Sequence, residues 1–108
     1  MKNGKISIED FDRIISSGKL VFVDFFAEWC GPCQMMMPVI TEIAEEYKDD
    51  SKVEVLKIDV DECPEIASRY GVMSIPTFLF IKDNEKLDII TGASSKDIII
   101  SKIKELSK

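Results

Sequence analysis

A chain of 108 residues, 45% of them hydrophobic, can close one core but not two, so one domain spanning residues 1–108 is expected. Its 14 basic residues stand singly among 20 acidic ones, for a formal charge of −6; this excludes the clustered Lys and Arg that nucleic-acid binding requires and leaves proteins as the expected partners. Three cysteines are odd in number and too sparse for a secreted disulfide scaffold, which favours a reducing compartment.

Met1-Lys2-Asn3-Gly4-Lys5 has no apolar stretch of the kind a signal peptide needs. The longest apolar run, Leu20 to Phe26, is interrupted by Asp24 and is too short to span a bilayer. The expectation is a cytoplasmic, soluble protein with no membrane association. Ser7-Ile8-Glu9-Asp10 has the form of a helix start, a hydroxyl cap with a carboxylate three residues on, and Phe11, Ile14 and Ile15 supply the apolar face before Gly18 ends the helix. Leu20 to Phe26 is β-branched and aromatic with almost no polar interruption, as a central strand buried on both faces should be. From Gln34 to Lys48 the period becomes helical, with Ile40, Ile43, Ala44 and Tyr47 on one stripe and Pro38 placed to kink it.

Val53 to Asp59 reads as a second strand, and Asp61 or Cys63 can cap a short helix through Ser68, with Pro64 in its permitted first turn and Gly71 as its stop. Thr77 to Ile81 and Leu87 to Thr91 should form an antiparallel hairpin joined by Lys82-Asp83-Asn84-Glu85, where Asn84 tolerates a left-handed backbone. Ser94-Ser95-Lys96-Asp97 starts a last helix whose Ile99, Ile103 and Leu106 cover the sheet. The order β-α-β-α-β-β-α, after the opening helix, implies an α/β fold with a mixed sheet and helices on both faces.

Trp29-Cys30-Gly31-Pro32-Cys33 sets two thiols two residues apart, after a buried strand and before a helix. A dithiol at that place is a redox device, although the motif alone also admits a permanent disulfide or half of a zinc site. Zinc asks for four ligands, and the chain has no His to join Cys63 in completing such a site. The Met35-Met36-Met37 run reads as adaptable packing.

With Val23-Asp24-Phe25, Ala27-Glu28-Trp29-Cys30-Gly31-Pro32-Cys33, Ser74-Ile75-Pro76-Thr77 and Gly92 in this order and spacing, nearly the whole chain resembles the thioredoxin family. The resemblance implies a thioredoxin fold, a central mixed sheet of four to five strands flanked by four helices. It also implies a monomer that reduces the disulfides of oxidised proteins with no bound cofactor, recharged by a flavoprotein thioredoxin reductase drawing on NADPH.

The chemistry of these residues follows from their placement. A sulfur at a helix start lies near unsatisfied N–H groups and the positive end of the dipole, so Cys30 is the expected nucleophile. A thiol pKa lowered from about 8.5 to about 7, the value known for thioredoxin itself, raises the thiolate at pH 7 from roughly 3% to roughly half. Cys33, one turn on, should be less exposed and should resolve the mixed disulfide by attacking Cys30. Pro32 stiffens the turn and Gly31 admits a partner's backbone; in the family these two residues tune the potential, and Gly-Pro resembles the reducing branch. Asp24, inside an apolar strand, should have a raised pKa and serve as the base that activates Cys33. Ile75-Pro76 resembles the family's cis-proline loop, and Trp29, Ile75, Pro76 and Gly92 would then form an apolar surface on which a substrate strand docks.

Departures from the family pattern concern tuning. Gln34 stands where many members have Lys, Phe26 where many have Trp, and Val55 is read as the position where bacterial members often carry a Lys beside the buried Asp, with Lys57 as a substitute. Cys63 reads as a structural cysteine at a helix start, with a regulatory thiol as the other reading. Two other functions remain as alternatives: a disulfide oxidant or isomerase, which Gly31-Pro32 opposes, and a non-catalytic thioredoxin-fold binding module, which retention of both cysteines opposes.

Overall fold

The computed structural model describes residues 4–108, so the N-terminal reading of Met1, Lys2 and Asn3 lies outside the described residues. Along the chain run α1 (Ile8–Ile15), β1 (Leu20–Phe26), α2 (Gly31–Tyr47), β2 (Val53–Asp59), α3 (Pro64–Arg69), β3 (Thr77–Lys82), β4 (Glu85–Thr91) and α4 (Lys96–Leu106). The strands form one four-stranded sheet in the order β2-β1-β3-β4. β1 pairs with β2 in parallel and with β3 antiparallel, and β4 closes the edge antiparallel to β3.

Every residue of β1 is buried, because the strand has helices over both faces. Val21, Val23 and Phe25 point to one side, where α1 and α3 supply Phe11, Ile15, Ile66 and Ala67. Leu20 and Phe22 point to the other, where Met36, Ile40 and Ile43 of α2 and Ile99 and Ile103 of α4 pack on Phe78 and Phe80. Phe22 lies 5.7 Å from Phe78 and 5.3 Å from Phe80 between ring centroids, and each fully buried ring contributes about 1.5–3 kcal/mol by leaving water. The alternation of β1 therefore assigns Asp24, between Phe22 and Phe26, to the α2 side.

The helix ends follow the sequence closely. Ser7 Oγ accepts the Asp10 N–H at 3.0 Å and Ser95 Oγ accepts the Ile98 N–H at 3.3 Å, each filling one of the orphan donors of a first turn. Three expectations need correction. First, the helix read from its period as beginning at Gln34 extends back to Gly31, in keeping with the cysteine pair as a helix start: Pro32 needs no N–H partner in a first turn, and Gly31-Pro32-Cys33 contains no apolar period to mark it. Second, the hairpin turn is two residues, Asp83 and Asn84, at φ 51° and 68°, because Lys82 and Glu85 already pair across the ladder. Two successive positive φ angles match the twist of the strands, and the same ladder carries a register shift at Phe80/Ile81. Third, Cys63 occupies the N-cap of α3 but makes no side-chain cap bond, and Asp61 is engaged elsewhere.

Candidate functional site

Cys30 and Cys33 are joined as a disulfide across a Cα separation of 5.2 Å, so the structure shows the oxidised state. Cys30 is the N-cap of α2, and its Sγ accepts the Cys33 backbone N–H at 3.2 Å. The first turn of α2 carries no acidic residue, so no negative side chain competes with sulfur for the positive end of the helix. Both sulfurs are enclosed, Cys33 at 1% and Cys30 at 5% exposure, against Phe26, Ala27, Met37, Val60 and Ile75.

Asp24 is 2% exposed, and burial raises its pKa from 3.8 to about 7. The positive charge of Lys57 opposes that rise. The register explains the pairing and makes Lys57 the substitute cation: parallel alignment sets Leu20 beside Val53, which places Val55 beside Phe22 and Lys57 beside Asp24. The cation is therefore present, one alternation farther along β2. Lys57 also lines a cavity of about 200 Å³ with Phe26, Glu28, Gln34 and Met37, next to the start of α2.

The Ile75–Pro76 peptide bond is cis. The Ile75 carbonyl oxygen lies 3.8 Å from Cys30 Sγ, and the Pro76 carbonyl accepts the Gly92 N–H at 2.8 Å, which brings Gly92 to the same loop. Trp29 is 71% exposed, with its indole Nε1 donating to Asp61 Oδ2 at 2.8 Å. Pro76 itself is buried where it feeds β3, so it lends backbone and not ring surface to this patch; Ile75 and Gly92 are half-buried. Sequence reasoning missed Met73, 97% exposed in the same loop, and Asp61, whose partner Trp29 is too distant along the chain for a local pattern to reveal.

Cys63 is buried, its Sγ donating to the carbonyls of Gly4 at 3.6 Å and Ile6 at 3.5 Å. The methionine run is divided by the helix period: Met36 is in the core, Met37 is half-buried beside the disulfide, and Met35 faces solvent.

The Thioredoxin family model matches residues 3–105 of this chain. The chain is 48% identical over 93 residues to a thioredoxin of Staphylococcus epidermidis, an alignment covering 86% of each. Among solved structures it is similar to a point variant of a thioredoxin from Halobacterium salinarum, with a TM-score of 0.84 and 35% identity over 96% of this chain and 88% of that one. It is also similar to oxidised mitochondrial thioredoxin 3 from Saccharomyces cerevisiae, with a TM-score of 0.79 and 36% identity over 92% and 90% of the two chains.

Proposed function

The chain belongs to the thioredoxin family and is a thiol-disulfide oxidoreductase acting on protein disulfides; on that premise we propose that it works as a reductant, with Cys30 attacking, Cys33 resolving and Asp24 moving the proton. The observation that carries this reading is the placement of Cys30 as the sulfur cap of α2, its Sγ on the Cys33 N–H.

In the reduced protein the Cys30 thiolate attacks one sulfur of a substrate disulfide. A Cys30–substrate disulfide forms, the substrate S–S bond breaks, and one substrate sulfur leaves as thiolate. Asp24, half ionised near pH 7, takes the proton of Cys33, with the nearby Lys57 charge favouring the carboxylate. The Cys33 thiolate then attacks Cys30 Sγ, the second substrate thiolate leaves, and the two electrons remain with the substrate while Cys30 and Cys33 close to the disulfide seen here. Trp29, Ile75, Gly92 and the backbone at Pro76 bound the surface on which the substrate strand rests, with the main-chain groups of Ile75, beside Cys30, available for pairing. Gly31 and Pro32 set the potential on the reducing side.

Recharging requires two electrons from outside the chain, and a flavoprotein thioredoxin reductase supplied by NADPH is the donor we assign, with the protein acting as a monomeric electron carrier in the cytoplasm. Among the described residues no helix is long and apolar enough to cross a membrane. Insulin-disulfide reduction by dithiothreitol tests the activity: the parent chain accelerates it and the Cys33→Ser variant does not sustain turnover. Equal rates for the two would remove the dithiol mechanism.

A further inference from the structure

Gln34 follows Cys33 directly, and its two amides reach both ends of the turn that carries Trp29 and Cys30. Its backbone N–H donates to the Cys30 carbonyl at 3.0 Å, as a helix backbone does whatever the residue. Its side-chain Nε2 donates to the Ala27 carbonyl at 3.3 Å, and this bond depends on the side chain. The Ala27 carbonyl also accepts the Cys30 N–H at 3.2 Å, so two donors converge on one oxygen at the start of the turn. Ala27 is fully buried, while Glu28 and Trp29 are exposed, so this oxygen anchors an otherwise exposed segment. On its far side the turn is held by the Trp29 indole on Asp61. The same Gln34 side chain forms part of the wall of the cavity beside Lys57.

We infer that Gln34 is a positioning residue for the exchange reaction: its side-chain amide, acting through the Ala27 carbonyl, holds the Ala27–Cys30 turn so that Cys30 and Trp29 meet a protein substrate already in place. The inference rests on the exchange chemistry proposed above. It also reassigns the departure at this position. What a Lys and Gln34 have in common here is a side-chain donor, which Gln34 supplies without the charge. A segment ordered before docking loses less conformational freedom when the substrate arrives, so the benefit falls on protein substrates that cover Trp29. A small disulfide that touches only the sulfur gains little from it.

The test compares Gln34→Met, which keeps the length and removes the donor, with Gln34→Lys, which keeps a donor. Losing one neutral hydrogen bond in a partly exposed place should lower kcat/KM for insulin reduction by about three- to tenfold. Steady-state anisotropy of Trp29 in Gln34→Met should fall, and the rate with 2-hydroxyethyl disulfide should stay within about twofold. Gln34→Lys should return both the insulin rate and the anisotropy to within about twofold of the parent. Parental values in Gln34→Met, or equal losses in Gln34→Met and Gln34→Lys, would overturn the positioning role. A parent chain unable to reduce insulin would instead strike the exchange chemistry itself, which separates the two failures.

Discussion

Replacing Asp24 by Asn separates the carboxyl's cost to the fold from its use in the reaction. Folded Asp24 keeps its proton up to about pH 7, whereas the unfolded chain releases it near 3.8. Between those values the folded state binds more protons than the unfolded one, so the contribution of this group to stability falls as pH rises and has been lost in full above about pH 7. The difference between 3.8 and about 7 corresponds to about 4 kcal/mol at pH 8. Asn carries no such cost. Guanidinium unfolding of the oxidised parent and of Asp24→Asn, run from pH 4 to pH 8, should show a stability difference in favour of Asn that opens with pH and levels off above pH 7. The other carboxylates titrate in both proteins and cancel in the difference. The gain in stability should come with a slower reaction: resolution of a Cys30 mixed disulfide should fall by about 10²-fold at pH 7, the low end for loss of a general base, while initial attack by Cys30 is largely kept. A stability difference that stays flat with pH, or favours Asp at pH 8, would refute the buried-carboxyl reasoning. Unchanged single-turnover resolution would refute the base.

Lys57→Met removes the cation that holds the Asp24 pKa down, so the midpoint of the resolution step should move to higher pH, read from its pH-rate profile; an unmoved midpoint means that Lys57 does not act on Asp24. In the reduced protein Cys30 has its sulfur at the start of α2 beside the Cys33 N–H, whereas Cys63 makes no cap bond and sets its thiol on two backbone carbonyls, so iodoacetamide should alkylate Cys30 and leave Cys63 intact until the chain is unfolded. Modification of Cys63 in the folded protein at a rate near that of Cys30, found by peptide mass analysis, would restore its regulatory reading.

The strands and the core were legible because they rest on patterns that do not depend on long-range placement. The run from Leu20 to Phe26 could be buried on both faces only as a central strand, and Ser7 and Ser95 announce their helices through bonds three residues long. What escaped the sequence was settled by register and by contacts between distant segments. Val55 and Lys57 both lie on the α2 face of β2, and only the alignment of Leu20 with Val53 decides which of them stands beside Asp24. Asp61 reads as a helix cap from its neighbours, yet its carboxylate bonds the indole of Trp29. Pro76 was read as surface, yet the strand that follows draws it inside. The start of α2 was legible from the cysteine pair, which reads as the opening of a helix, and not from the hydrophobic period, which a first turn of Gly, Pro and Cys lacks.

The division of labour between the two cysteines can be read in one trapping experiment. Reduced Cys33→Ser protein is mixed with a protein disulfide, quenched with acid and digested, and the mixed disulfide is mapped by mass spectrometry. A stable adduct on Cys30, absent from the parent because Cys33 resolves it, is the result predicted here; an adduct on Cys63, or an adduct on Cys30 that turns over as fast without Cys33, would contradict it.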